Sequence, residues 1–222
     1  MGIISIENSD RLFWLGRYSE RVYTSTRLFA TSFDRMIDGD IRDYDAFCSQ
    51  LDIPNIYLSK EDFCRRYITD EEDPNSIYSN LIRAYDNAIV LRNEIGSEPI
   101  SYIQLAVYDM KKCASSNSPV VELQRVTDHI LAFWGIVDDM IECENIRNII
   151  KTGKRIERLD LFGRLQMDRV SLAREVNRLS GRITKTNLRY DQGSLDEIKW
   201  LVKEEKTDYD RIVELVDHLL KD

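Results

Sequence analysis

Few residues in this chain have both the type and the spacing that catalysis demands. Asp138-Asp139-Met140-Ile141-Glu142 places carboxylates on an apolar stretch, and spaced carboxylates of this kind can hold magnesium on a diphosphate. Such a site needs a second acidic motif on a facing helix, whereas the later segments supply mainly bases, so the cluster reads as ordinary helix surface. A ferritin-like two-metal centre needs Glu followed three residues later by His. His129 has Val126 at that position and His218 has Leu215, which makes both packing or surface histidines. Cys48, Cys64, Cys113 and Cys143 lie too far apart to frame a zinc or redox motif, and reduced thiols are expected. Gly153-Lys154 lacks the rest of a phosphate-binding loop. Neither histidine sits in a recognisable nucleophile motif. These patterns form no self-sufficient catalytic constellation and call for no metal or cofactor.

The strongest internal pattern is an echo. Gly16-Arg17-Tyr18-Ser19-Glu20-Arg21 is followed by Arg27-Leu28, and Gly153-Lys154-Arg155-Ile156-Glu157-Arg158 by Arg164-Leu165, at the same spacing. On a helix, steps of four and seven residues return to nearly the same face, so Gly, Glu and the later Arg of each copy share a row. Adjacent residues point about 100 degrees apart. Glu20 and Arg21, like Glu157 and Arg158, therefore cannot pair with each other and must seek partners on other helices. Glycine inside a helix costs up to about 1 kcal/mol relative to alanine. Two at matching positions imply a close backbone approach, with the echoed helices crossing at Gly16 and Gly153. These charges hold helices together or, alternatively, surround a cleft.

The elements that position these residues read as helices throughout. Leu12, Leu15, Val22, Phe29 and Phe33 recur at helical spacing from an N-cap at Ser9 to about Ile37, where Asp38-Gly39-Asp40 ends the run. A short helix over about 44–51 and one capped by Ser59 follow. Asp73-Pro74-Asn75-Ser76 starts a helix that runs to about Ile95 and stops at Gly96, and Pro99 opens the next. Ser115-Ser116-Asn117-Ser118-Pro119 separates that helix from one over about 119–144 and another over about 145–179. Gly181 and Gly193 bracket a loop before two shorter helices. Trp14, Trp134 and Trp200 fall at helical spacing with other apolar residues and are assigned to core packing. No segment alternates as a strand does, so the fold class is an all-α, single-domain helical bundle carrying two pseudo-equivalent Glu-Arg helices.

Composition sets the remaining bounds. The 222 residues are 43 % hydrophobic, enough for one sizeable core, and 31 bases against 39 acids leave a net charge of −8, which argues against wholesale nucleic-acid binding. Residues 38–73 hold eleven acids and four bases, while residues 145–190 hold twelve bases and four acids. Both stretches read as solvated faces; the sharper alternative is that the basic one receives an acidic partner. Met1 to Ile6 lacks a signal-peptide pattern, Ile6 breaks the myristoylation pattern after Met1-Gly2, and no apolar stretch could span a bilayer. A cytoplasmic protein is expected.

Trp14 to Arg21 resembles the hallmark of the alpha-E family, bacterial all-helical domains named for a Glu-Arg motif, and Gly153 to Leu165 resembles its second copy. Asp73 to Ile77, and Asp86-Asn87-Ala88 through Arg92, Ile95, Ser97 and Glu98, are similar to the family's central block. The chain departs from that pattern at Ile89, at Pro99 and over residues 159–162. The resemblance implies an accessory, scaffold or substrate-presenting module of a peptide-modifying or peptide-ligating system, beside circularly permuted ATP-grasp and transglutaminase-like proteins. On that reading the motif and binding residues are Gly16, Arg17, Glu20, Arg21, Arg27, Gly153, Lys154, Glu157, Arg158 and Arg164. Two rivals stay open: an all-helical enzyme with a carboxylate-bound magnesium site, and a binder of anionic polymers through the basic helix over residues 145–190.

Overall fold

The computed structural model describes residues 4–39, 43–113, 115–116 and 119–221. Asp40, Asn117 and Ser118 of the expected breaks, and the Met1-Gly2 dipeptide, lie outside the described residues. Eleven helices and no strand occur among the described residues: α1 Ile6–Ile37, α2 Asp43–Leu51, α3 Lys60–Thr69, α4 Ile77–Val90, α5 Arg92–Ile95, α6 Ser97–Cys113, α7 Pro119–Met140, α8 Glu144–Arg164, α9 Arg169–Ile183, α10 Gln192–Leu201 and α11 Tyr209–Asp217. The all-α fold class is therefore as expected. The chain divides into two compact units, residues 18–142 and residues 1–17 with 143–222.

In the unit of residues 18–142, α6 lies along α7 and α4 packs on α6. Its core includes an aromatic cluster from α1, α2 and α3, in which Phe47 and Tyr67 meet edge to face at 4.9 Å and Phe63 stacks on Tyr67 at 5.3 Å. Ser59 caps α3 by accepting from the Asp62 backbone N–H at 3.2 Å, as expected, and Asp62 reaches back to the Leu58 N–H at 3.1 Å. The helix expected to run to Ile95 instead ends at Val90. Leu91, buried and capping α4, turns the chain into the short α5 before Gly96 stops it at φ +79°.

In the other unit, α8 packs on α9 and α11, with α10 against both α9 and α11. The helix expected over 145–179 is two helices: Gln166 adopts φ +48°, and Asp168 starts α9 by accepting from the Ser171 N–H at 2.9 Å. Asp191 and Asp208 cap α10 and α11 in the same way, at 2.7 and 3.0 Å. Gly181 lies inside α9, so the loop begins only after Ile183. The first turn of α1 is also corrected. Ser5 Oγ accepts from the Asn8 N–H at 3.1 Å and the Ser5 carbonyl from Ser9 N–H at 2.9 Å, which places the cap at Ser5 and leaves Ser9 inside the helix and buried.

Candidate functional site

Within the unit of residues 1–17 and 143–222, α1 and α8 cross in backbone contact. A Cβ built on Gly16 would overlap the Ile150 carbonyl oxygen and stand 3.1 Å from the Lys154 nitrogen; one built on Gly153 would overlap the Phe13 carbonyl oxygen and stand 3.1 Å from the Arg17 nitrogen. The contacts are reciprocal, each glycine seated against the residue three before and the residue one after the other. Only a residue without Cβ allows this approach.

The crossing brings the expected charges together. Arg17 Nε donates to Glu157 Oε2 at 2.7 Å, and Glu157 is 1 % exposed. The Arg17 guanidinium lies over the Trp14 ring at 5.1 Å, giving it an aromatic face as well as a carboxylate. Arg158, one residue on, turns to α9, where its Nη1 stands 3.9 Å from Glu175 Oε1. The Glu-Arg dipeptide of α8 thus ties it to two different helices, as the angle between adjacent residues requires.

Glu175 is a residue that the sequence reading missed. It is buried and accepts from Arg155 Nη1 at 2.6 Å and Arg178 Nη1 at 2.7 Å. Burial lowers the Arg155 pKa, with Glu175 opposing that and the charges of Arg158 and Arg178 adding to it. The available signal was that Glu175 is the only acid between Asp168 and Tyr190 in a run of bases. Asp160 was missed too: burial raises its carboxyl pKa, Glu157 adds to the rise, and Arg164 opposes it through a 2.9 Å bond from Nε.

The remaining predicted residues fall elsewhere. Lys154 lies half-buried beside the crossing. Glu20, Arg21 and Arg27 belong to the unit of residues 18–142. Glu20 is fully buried and accepts from Thr24 Oγ1 at 3.1 Å; Arg21 is half-buried, with its charge felt at Tyr67; Arg27 is exposed, donating to Tyr23 OH at 3.0 Å and bordering a pocket of about 180 Å³. The rows of the two copies are therefore unlike at their last position, where Arg164 grips a buried carboxylate and Arg27 does not. Asp138, Asp139 and Glu142 are exposed around the end of α7. His129 Nε2 is 2.9 Å from Asp109 Oδ2. Trp134 is buried as expected, but Trp200 is 57 % exposed and Trp14 only half-buried.

Trp14 lines a groove of about 1120 Å³ confined to the unit of residues 1–17 and 143–222. One wall is a stripe of α1 that ends at Arg17; the other walls come from Ile156 of α8, residues 187–189, and α11 with the residues after it. The extended segments at Tyr190 and Leu220 form an antiparallel bridge there, with Lys221 N–H donating to the Arg189 carbonyl at 3.0 Å. The groove combines apolar walls with both signs of charge, a lining that suits binding. Among the described residues no group of three or more His, Cys, Asp or Glu side chains is placed to hold a metal ion, and no helix is long and apolar enough to cross a membrane.

A family model described as "Alpha-E: A predicted alpha-helical domain with a conserved ER motif" matches residues 8–198. No curated protein and no solved structure matches the chain.

Proposed function

The chain belongs to the Alpha-E family, and we propose that it serves as a non-catalytic interaction module of a cytoplasmic, bacterial peptide-modifying or peptide-ligating system, with ATP-grasp and transglutaminase-like proteins as partners. One observation carries this reading: Glu157 of the ER motif is closed off from solvent and bonded to Arg17 across the glycine crossing. A carboxylate so placed holds architecture and has no route to a substrate, and what remains open beside it is a groove. In this reading the two Glu-Arg copies are an internal repeat that builds the scaffold. Recognition of anionic polymers by the basic helices is less well supported, because Arg155, Arg158 and Arg178 converge on Glu175.

The test is co-expression with ATP-grasp and transglutaminase-like proteins encoded in the same genome, followed by size-exclusion chromatography. Co-migration with either one supports the module. Separate elution from both, or turnover of a diphosphate substrate by the chain alone with magnesium, overturns it.

A further inference from the structure

The groove beside the crossing holds two polar groups whose hydrogen-bonding capacity goes unused. Arg17 is 13 % exposed at its side chain and gives Nε to Glu157; its two terminal nitrogens have no hydrogen-bond partner among the described residues of this unit. Ser9 is 6 % exposed, and its Oγ has no hydrogen-bond partner. Both residues line the groove. A buried polar group left unpaired is costly, as Ser9 Oγ is, while the Arg17 terminal nitrogens face solvent; together they mark places where a ligand's polar atoms belong.

We propose that this groove binds the C-terminal end of a peptide, with the terminal carboxylate on the Arg17 guanidinium and an apolar side chain against Trp14. The inference rests on the reading of the chain as a module for peptide-bearing partners and names the part of the partner that it takes. A guanidinium with two free terminal nitrogens matches a carboxylate in a bidentate pair. The groove's charges select a monoanion over a phosphate: Arg17, Arg189 and Lys221 are opposed by Glu7, Asp10 and Asp217 along the same lining. With Arg17 already paired to Glu157, the groove holds no surplus of positive charge for a dianion.

Length fits as well. Ile6, Ser9, Asp10, Phe13, Trp14 and Arg17 form one helical stripe along the groove. From residue 6 to residue 17 it covers roughly 16 Å at 1.5 Å per residue, the span of about five extended residues. Ser9 lies two helical turns from Arg17, roughly 12 Å away, so its hydroxyl meets the peptide backbone three or four residues before the carboxylate. Asp10, which has no charged partner among the described residues, then takes a donor from the same stretch.

The probe is N-acetyl-Ala-Ala-Ala-Ala-Phe as the free acid, compared with its C-terminal amide and with inorganic phosphate, on the full chain. Binding is read from the Trp14 indole N–H resonance and by calorimetry. The acid is expected to shift Trp14 saturably and to bind at least about tenfold more tightly than the amide. Arg17→Lys keeps a cation for Glu157 but loses the bidentate head, and should cost about tenfold in affinity in a chain that remains helical by far-ultraviolet circular dichroism. Ser9→Ala should weaken binding with no loss of stability. Equal binding of acid and amide, phosphate producing the same Trp14 shift, or no shift with millimolar acid would each overturn the proposal. So would partner co-migration undiminished in both variants, which leaves the module reading intact; loss of co-migration in the parent alongside tight acid binding does the reverse.

Discussion

Alanine at Gly153 decides whether the crossing is architecture or accident. Inside a helix the exchange should by itself stabilise the protein by up to about 1 kcal/mol. Here the added Cβ overlaps the Phe13 carbonyl oxygen and stands 3.0 Å from its carbon and 3.1 Å from the Arg17 nitrogen. All three are backbone atoms of α1, which move only if the helix moves. Overpacking a filled site costs about 1 to 3 kcal/mol, and a rigid obstacle puts this one at the upper end. Subtracting the propensity gain leaves a net loss of about 2 kcal/mol. Gly135→Ala and Gly181→Ala are the controls, since both glycines are helical and nothing lies within 4 Å of a Cβ built on them. Urea unfolding followed by far-ultraviolet circular dichroism measures all three. The expected order is controls at or above the parent and Gly153→Ala well below it. A Gly153→Ala protein as stable as the parent would show that the two backbones do not approach as described.

Glu157→Ala leaves Arg17 without its carboxylate and should cost about 3 to 5 kcal/mol in the same assay, while Glu20→Ala should cost at least about 1 kcal/mol; near-parental midpoints for both would remove the motif from the architecture. Burial pushes the thiol of Cys48 up to about 12 and that of Cys113 up to about 11, so at pH 8 both should resist a disulfide reagent in the native protein and react in urea, and prompt native reaction of all four cysteines would contradict this. The Asp191 carboxyl is held down to about 2, chiefly by Lys221 and then by the Ser194 N–H. A depressed carboxyl contributes stability in full above its unfolded value of 3.8 and loses it as pH falls through about 2. The Asp191–Lys221 pair should therefore stay closed at pH 4 and open only as pH approaches about 2, and an ordinary Asp191 titration by nuclear magnetic resonance would refute it.

How much of this was legible depended on where the determining contacts lie. The crossing at Gly16 and Gly153 could be read because helical period and glycine cost are local properties that point to one nonlocal event. The break at residues 165–168 could not, because Gln166 enters a left-handed conformation that residues other than glycine rarely adopt, and no Gly or Pro within 165–168 marks it. Ser9 reads as a cap because the apolar pattern begins after it, yet the helix begins at Ile6 and Ser5 meets its first N–H groups. Trp200 was assigned to the core on its spacing, but Leu195, Ile198 and Leu201 fill that face of α10 and leave the indole outside. Glu175 escaped notice because a lone acid among bases carries no motif. Its role appears only when α8 and α9 bring three guanidiniums to it.

The order of the two residues in the ER dipeptide follows from these partners. Position 157 faces the cation Arg17 on α1, and position 158 faces the anion Glu175 on α9. Writing the dipeptide as Arg-Glu would set cation against cation at the first contact and anion against anion at the second, while preserving composition, helix propensity and net charge. The first contact is nearly closed to solvent, where an unpaired charge costs several kcal/mol, whereas the second is partly relieved because Arg155 and Arg178 also serve Glu175. The requirement therefore bears harder on the glutamate than on the arginine. It also explains why the adjacent pair, which can never close on itself, works as a corner that fixes one helix against two others.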